Sequence, residues 1–493
     1  MGVVRKDSIK NTVITYIGIG IGYINKGLLF PLLFTASEVG LANIVVLLAG
    51  FFSQFSSLGA EMILLRFFPF FKHKEEGYGG VLRLVFSIVI VGFSLLSLIM
   101  IIGHDWFVSY YIENSPLLIE YYYWIIPIGI AGTFYIVFEH YLRVMSKNII
   151  SVFLQVFVQR ILVLIALIFF YFKFYSFEQF IVIFFSISFI SSVVLFIYLL
   201  SIKKLFIQKK YFTIQKRLKR MMVSYGIFVY FNSLGRNLIL MADTLMLASI
   251  VGLNAVGVYV VMVFLANAAF VPYVSLIRIS VPYVSVYWKE NNTKALSELY
   301  NRISRIGFFI TFLLFSFIWF GFDNLLYFLP EEYLKGKYIF LFLMIGRVFD
   351  AIGGINGDIL LTSKKYKKEV LITLPLIFIT FYLNYLLIPI YQGEGAAIAT
   401  CVVLLLFNVA RMSVNYYYFK LHPFDSRMVK IIVLALGMFL IGSIIPSTNI
   451  FLLDLFFDFS IPVILYLFPV YLFKLVPEIN QFIDLVLKKL RII

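Results

Sequence analysis

The sequence predicts an all-α integral membrane protein with about fourteen transmembrane helices. Of its 493 residues, 62% are hydrophobic and only 13% are charged, a balance far more apolar than that of soluble domains. Apolar stretches follow one another along the chain, and most approach the roughly 20 residues that a helix needs to cross the hydrocarbon core. Only short polar segments separate them, so no sizeable soluble domain is expected.

Each apolar stretch is expected to form one membrane-spanning helix. The first, from Asn11 to Phe34, is too long for a secretory signal, contains Lys26 and Pro31, and lacks a small-residue cleavage site, so we interpret it as a retained helix. The predicted helices are residues 11–34, 38–60, 82–102, 120–142, 149–172, 178–201, 221–250, 255–283, 303–328, 337–362, 370–391, 395–419, 428–446 and 450–474.

Positive charge is concentrated in alternate connecting segments. Both terminal segments and every second loop are rich in Lys and Arg, whereas the intervening loops together hold three Lys and several acidic residues. Because Lys and Arg beside short loops stay on the cytoplasmic side, both termini are predicted to be cytoplasmic. The most basic loop, Lys203 to Arg220, is expected to lie at anionic lipid headgroups. Nucleic-acid binding is not expected, since no soluble domain would present this loop.

The two halves of the chain resemble one another. A shift of 217 residues, without gaps, overlays Glu38-Val39-Gly40 on Ala255-Val256-Gly257 and Gly129 on Gly346. Since each half holds six helices, an even number, the halves have the same orientation and form a parallel repeat. We predict an N-lobe at residues 1–220, a C-lobe at residues 221–425, and two additional helices with a basic tail at residues 426–493.

A group of motifs resembles a known family. The densest is MADTLMLASIVGLNAVGVY, from Met241 to Tyr259, in which Asp243 precedes a hydrophobic turn and Gly252 follows at the family's spacing. LTSKKYKK at residues 361–368 and YQGEGAAIAT at residues 391–400 are later landmarks. These segments resemble the polysaccharide exporters and O-antigen flippases (Wzx type) of the multidrug/oligosaccharidyl-lipid/polysaccharide exporter superfamily.

The resemblance implies a two-lobed bundle that alternates between inward-open and outward-open states. It implies a cargo as well, a polyprenyl-pyrophosphate-linked oligosaccharide (an O-antigen or capsule repeat unit) that moves to the outer leaflet of a bacterial inner membrane. Expected partners are this substrate and membrane lipids, with a polysaccharide polymerase and a coupling ion, proton or sodium, as further candidates. Neither a cofactor nor a metal site is expected.

Two other transporter classes remain open as alternatives, and a membrane enzyme is the competing class that the sequence disfavours. Cation-coupled multidrug antiporters of the same superfamily usually carry an acidic residue in the first helix, and lipid II flippases carry an arginine-rich motif there. Residues 11–34 contain neither, apart from the single cation Lys26. A membrane enzyme would be expected to present catalytic groups on a sizeable loop, but the longest predicted outer loop runs only from about Gly103 to Ile119. We therefore predict a transporter without catalytic residues.

Placing an ionisable residue at membrane depth costs free energy, so each such residue is a candidate for a functional site. Arginine can grip a pyrophosphate through two parallel hydrogen bonds, and cations that converge on a cavity would suit such a headgroup. The candidate substrate-binding residues are Arg236, Asp243, Arg347, Arg160, Lys26 and Arg278.

Structural roles compete with these assignments. Arg236 and Asp243, seven residues apart, share a helix face and could pair, and Arg347 could neutralise Asp350 three residues on. Arg278 and Arg411 lie close enough to the predicted cytoplasmic helix ends to extend their side chains to the interface. His140 beside Glu139 and His104 beside Asp105 are too isolated to indicate a metal site or a proton relay, and they are expected to be satisfied or solvated.

Overall fold

The computed structural model describes residues 14–15, 17–68, 75–145, 147–202, 215–444 and 451–489, except for the side chains of residues 75–80, 227–229, 231–237, 239–240, 452, 486–487 and 489. Nearly all of these described residues are helical, and none forms a β-strand. Ten helices among them are long and apolar enough to cross a membrane, and a bent pair adds an eleventh. The predicted all-α membrane class is confirmed.

The chain forms two compact units, Met1–Gly257 and Val258–Ile493. In the first, every predicted segment coincides with a helix. The described helices of this unit are α1 (Ile17–Leu33), α2 (Ala36–Ser57), α3 (Ala60–Phe67), α4 (Glu75–Ile102), α5 (His104–Tyr111), α6 (Pro116–Glu120), α7 (Ile125–Val144), α8 (Ile149–Tyr171), α9 (Phe177–Ser201) and α10 (Lys216–Ile250).

The second predicted helix, 38–60, is interrupted near its end. Thr35 caps α2, because its hydroxyl accepts from the Glu38 backbone N–H while the Glu38 carboxylate accepts from the Thr35 N–H at 2.8 Å. The helix stops where Leu58 and Gly59 take left-handed conformations, with φ of 46° and 76°. A Cβ at Gly59 would lie 2.4 Å from the Gly226 carbonyl oxygen, so only glycine fits this turn. The short α3 then starts at Ala60.

Phenylalanine rings hold the C-terminal end of α1. The ring of Phe34 lies 4.6 Å from those of Phe170 on α8 and Phe180 on α9, and Phe30 lies 5.4 Å from Phe184. Edge-to-face and tilted contacts of this kind add to the stabilisation that burial of the rings already provides. They keep the C-terminal end of α1 against α8 and α9, one turn beyond Lys26.

The helices of the second unit follow the prediction with two differences. Its α-helices of more than four residues are α11 (Leu253–Lys289, which begins in the first unit), α12 (Thr293–Phe320), α13 (Lys337–Gly353), α14 (Asn356–Thr362), α15 (Lys367–Phe419), α16 (Ser426–Ile444), α17 (Leu453–Leu472) and α18 (Pro477–Lys489). The segment predicted as one helix, 337–362, is two helices bent by 51°, because Gly354 between them has φ of 55°. The predicted basic tail contains a further helix, α18.

The predicted division between residues 391 and 395 lies inside α15. This continuous stretch of 53 residues contains one residue with non-helical angles, Gln392, with φ of 51° and ψ of −125°. A side chain other than glycine is strained at such a positive φ. The break therefore makes α15 two helices in succession, as the sequence predicts.

The internal repeat reappears as a reciprocal contact. A Cβ at Gly40 would lie 2.1 Å from the Leu253 carbonyl oxygen, and a Cβ at Gly257 would lie 1.9 Å from the Ala36 carbonyl oxygen. Leu253 and Gly257 are the positions that the shift of 217 residues assigns to Ala36 and Gly40. All four residues belong to the first unit. The division of the chain at residues 220 and 425 stays a prediction.

Candidate functional site

Two cations of the first unit, Lys26 on α1 and Arg160 on α8, lie where both helices depart from regular α geometry. Lys26 belongs to a π-helical segment, Ile24–Leu29, and a second π-helical segment, Phe153–Val158, ends two residues before Arg160. Such wide turns are uncommon and are frequent at functional sites. The two predicted site residues are therefore carried by two locally distorted helices.

Asparagine side chains hydrogen-bond to the backbone of Arg160 and to the ammonium group of Lys26. The Asn25 side-chain amide donates to the Arg160 backbone carbonyl at 2.7 Å, which ties α1 to α8. Lys26 Nζ donates to Asn43 Oδ1 of α2 at 3.1 Å. A Cβ at Gly22 would lie 2.8 Å from Arg160 Nη1, so the guanidinium packs directly on the backbone of α1. The cations are thus positioned by neutral groups.

Among the described residues, no carboxylate compensates the positive charge of this pair. Arg160 acts on Lys26 as a like charge, and neither residue forms an ion pair with a carboxylate in the described part of the chain. Lys26 uses one of its three N–H donors on Asn43, and the guanidinium of Arg160 donates to no protein acceptor within the same residues. Free donors and unbalanced charge at membrane depth favour an anionic ligand.

Arg347 of α13 is held mainly by an amide. Its Nη2 donates to Asn267 Oδ1 at 2.8 Å, and its guanidinium lies 4.9 Å from the centre of the Phe270 ring. Asp350, the carboxylate that the sequence proposes as its partner, is 4.0 Å away at the nearest oxygen. The predicted i to i+3 pairing is therefore a loose contact, and Asn267 is the closer partner.

Asp350 instead belongs to a network of asparagines. Its Oδ1 accepts from Asn408 Nδ2 at 3.0 Å, and Asn408 Oδ1 accepts from Asn356 Nδ2 at 2.8 Å. Asn415 Nδ2 donates to the Asn356 backbone carbonyl at 2.8 Å, while the Tyr273 hydroxyl donates to the Asp350 and Gly354 carbonyls. The network joins α13, α14 and α15 across the bend, which satisfies polar groups that the bend exposes.

Sequence reasoning missed these asparagines because it considered only charged residues. The available signal was the spacing of Asn408 and Asn415, seven residues apart in an apolar helix, which puts both on one face. Asn25, Asn43 and Asn267 were missed for the same reason. No comparable signal in the sequence identifies their partners, which lie on other helices.

The remaining predicted site residues differ in what the structure describes. Asp243 is buried in α10, where its Oδ1 accepts from the Thr244 backbone N–H at 2.7 Å. The side chain of Arg236 lies outside the described residues, so its predicted pairing with Asp243 stays a prediction. Arg278 is exposed on α11, and no ion pair involves it within the described residues.

Arg411 is held inside the second unit. Its Nε donates to the Glu369 carboxylate at 3.1 Å, and its Nη2 contacts the same carboxylate. Its guanidinium carbon lies 3.6 Å from the centre of the Phe407 ring. The side chains of Arg411 and Glu369 are only 16% and 9% exposed. Both groups belong to α15, and they form a buried pair where the sequence suggested an arginine that reaches the interface.

Several solved structures share this architecture. The chain matches lipid II flippase MurJ in an inward closed conformation with a TM-score of 0.71 and 14% identity, over 93% of this chain and 98% of MurJ. It matches a multidrug resistance MATE family transporter of the MOP superfamily, in its inward-facing conformation, with a TM-score of 0.59 and 13% identity, over 82% and 94%. The fold is that of a membrane transporter.

A third transporter has the same fold. A MOP superfamily transporter from Pyrococcus furiosus matches with a TM-score of 0.52 and 16% identity, over 83% of this chain and 96% of that one. No protein-family model and no curated protein matches the sequence. The transporter fold and the run of apolar helices make this chain a multi-pass membrane protein, with its two candidate cations inside the helical bundle of the first unit.

Proposed function

We propose that this protein is a flippase for a lipid-linked oligosaccharide with a pyrophosphate head. The observation that carries the proposal is the pair Lys26 and Arg160, which is uncompensated by any described carboxylate on a membrane-transporter fold. A cationic substrate would be repelled by this pair. A phosphorylated head would supply the negative charge and the acceptor oxygens that the pair lacks.

The geometry of the donors suits a pyrophosphate. Arginine presents a planar fork of five N–H donors that matches phosphate oxygens, and lysine adds a compact charge with rotatable donors. Five donors of Arg160 and two of Lys26 remain free of protein partners in the described residues. Because Asn43 already holds the Lys26 side chain and the Gly22 backbone already contacts the Arg160 guanidinium, little ordering would be needed when the head binds.

The likeness to known folds supports a lipid-linked cargo. The structural match to the protein named as a lipid II flippase covers 93% of this chain. The matches to the MATE family transporter and to the Pyrococcus furiosus transporter cover 82% and 83%. The resemblance of residues 241–259 to O-antigen flippases leads us to propose an O-antigen or capsule repeat unit on a polyprenyl carrier. The direction would be from the cytoplasmic to the outer leaflet of a bacterial inner membrane, with a polysaccharide polymerase as a downstream partner.

Deletion of the gene tests the proposed function. We expect lipid-linked oligosaccharide to accumulate on the cytoplasmic leaflet and one surface polysaccharide to disappear, as measured by glycan extraction and by accessibility to an external glycosidase. If the surface glycan persists and only drug sensitivity changes, a multidrug antiporter replaces the flippase. Loss of peptidoglycan synthesis in place of the glycan would indicate a lipid II flippase.

Site variants test the role of the cation pair. Arg160→Gln and Lys26→Gln should each reduce surface glycan, while the protein remains in the membrane at normal abundance. Lys147→Gln is the matched control, because Lys147 is an exposed cation just before α8. If Arg160→Gln and Lys147→Gln export equally, the pair does not bind the substrate.

A further inference from the structure

The helix α18 follows the membrane helix α17 after a turn of only four residues, 473–476. It is 13 residues long, whereas a helix needs roughly 20 apolar residues to cross the hydrocarbon core. A helix this short, and this close to the end of a membrane-spanning segment, must lie near the surface of the bilayer.

Polar contacts hold α18 against two membrane helices of the second unit. The Glu478 carboxylate lies 2.7 Å from Arg302 Nε of α12. Asn480 Nδ2 donates to the Tyr471 backbone carbonyl of α17 at 2.6 Å, and the Tyr471 hydroxyl donates to Asp484 Oδ1 at 2.6 Å. Both carboxylates of α18 are therefore engaged within the protein, and the helix has a defined position beside α12 and α17.

One side of α18 presents apolar side chains that the described part of the protein leaves largely uncovered. Phe482 and Leu485 are 65% and 60% exposed, and residues three apart are neighbours on a helix surface. Leu472 and Phe473, at the end of α17, are exposed as well. Exposed apolar side chains thus continue along the chain from a membrane-spanning helix into α18, which favours lipid as the surface that covers both.

Lysines accompany these apolar residues. Lys474 lies in the turn before α18, and Lys488 lies three residues after Leu485. Both are exposed, and neither forms an ion pair within the described residues. Helices that lie in the membrane interface combine exposed apolar side chains with Lys and Arg in this way, because the apolar side chains enter the lipid while anionic headgroups attract the cations.

We propose that α18 is a membrane-surface helix whose partner is the anionic phospholipid of the adjacent leaflet. Phe482 and Leu485 enter the boundary between headgroups and acyl chains, and Lys474 and Lys488 bind headgroup phosphates. Lipid is favoured over a protein partner because the exposed side chains follow directly from a membrane-spanning helix and carry two unpaired cations. Through the contact of Glu478 with Arg302, the helix also ties α12 to the lipid surface.

Electron paramagnetic resonance of the full chain in phospholipid vesicles tests the location of α18. A nitroxide is attached at Leu485→Cys after the buried Cys401 is replaced by alanine, and its collisions with oxygen, which enters lipid, are compared with those of a water-soluble nickel chelate. We expect high access to oxygen and low access to nickel. Lys294→Cys, at an exposed position in the first turn of α12, is the matched control and should show the reverse.

Two further variants test the contacts separately. Phe482→Gln should shift the label at Leu485 about tenfold toward water, because an apolar anchor is lost. Phosphatidylglycerol added to phosphatidylcholine vesicles should lower the nickel access of the label by about fivefold for each lysine. Lys474→Gln combined with Lys488→Gln should abolish this response, whereas Lys294→Gln should keep it. Equal nickel access in both lipid mixtures would overturn headgroup binding.

A label at Leu485 that meets nickel as often as the label at Lys294 overturns the membrane location. Protection from both reagents would place the helix against protein, with dipolar broadening between labels as the sign of a second copy of this chain, and it overturns lipid as the partner. If Leu485→Cys is not recovered from membranes, Phe482→Cys carries the label in the same experiment. Because these measurements need no lipid-linked substrate, their failure leaves the proposed flippase function standing.

Discussion

Gly40 and Gly257 occupy equivalent positions of the internal repeat, and each lies against a backbone carbonyl of the other's segment. The oxygens that would contact an added Cβ are 2.1 Å from Gly40 and 1.9 Å from Gly257. At these distances a Cβ could be accommodated only if the backbone itself moved. The start of α2 and the start of α11 therefore cross as closely as two helices can, because both positions lack a side chain.

We expect Gly40→Ala and Gly257→Ala to destabilise the protein by similar amounts. The added methyl group overlaps a backbone carbonyl in each case, and overpacking of this kind costs about 1–3 kcal/mol. Thermal unfolding of the detergent-purified protein, followed by loss of monodispersity, measures the effect. Gly50→Ala, on the same helix as Gly40 but with open space around its Cβ, is the control and should unfold like the wild type. Unequal effects of the two variants would argue against the reciprocal contact.

Gly22→Ala should reduce export without unfolding the protein. A Cβ at Gly22 would lie 2.8 Å from Arg160 Nη1, which is the end of a flexible side chain, so the guanidinium must turn away. Gly20→Ala has nothing within 4 Å and is the matched control two residues away. Surface glycan and membrane abundance should both be measured. Equal export by the two variants would mean that the position of Arg160 is unimportant.

Arg411→Ala should lower the amount of folded protein. It leaves the Glu369 carboxylate buried without its cation, and breaking a buried pair in this way costs about 3–5 kcal/mol. Adding Glu369→Gln should restore part of the loss, because the remaining group is then neutral. Size-exclusion profiles of the solubilised protein give the readout, with Arg427→Ala, at an exposed cation in the first turn of α16, as the control. A double variant no better folded than Arg411→Ala would contradict a pairing role.

Arg236 can be tested through its predicted partner on α10. If Arg236 binds substrate, Arg236→Ala should abolish export at normal abundance, and Arg236→Lys should restore it only in part, since an ammonium lacks the bidentate grip. If Arg236 and Asp243 are a structural pair, Arg236→Ala should lower abundance and Asp243→Asn should recover it. Recovery of both abundance and export in the double variant would exclude a substrate-binding role for Arg236.

The charge pattern predicts the orientation of the chain. Reporters fused after Lys210, Lys367 and Ile493 should be cytoplasmic, and reporters fused after Asn114 and Gly393 should be external, because Lys and Arg are retained on the cytoplasmic side. Paired enzymatic reporters that are active on opposite sides of the membrane provide the measurement. An external signal after Lys367 would require a different number of helices.

The candidate site was predictable only in part. A cation within an apolar segment can be recognised in the sequence, because the free-energy cost of placing it in the membrane follows from its own charge. Lys26, Arg160 and Arg347 were predicted as candidate site residues for this reason. Their partners were not visible. Whether a cation meets an amide, as Arg347 meets Asn267, or a carboxylate, as Arg411 meets Glu369, depends on residues that lie 80 and 42 positions away along the chain.

The sequence by itself determined the helical class and the positions of the membrane segments. These are consequences of local composition, since a backbone in hydrocarbon must satisfy its own hydrogen bonds and a helix does so within one segment. The tertiary structure decided the bend at Gly354 and the wide turns beside Lys26 and Arg160. Each of these depends on contacts between helices that are distant in sequence, where packing and polar satisfaction outweigh local preference.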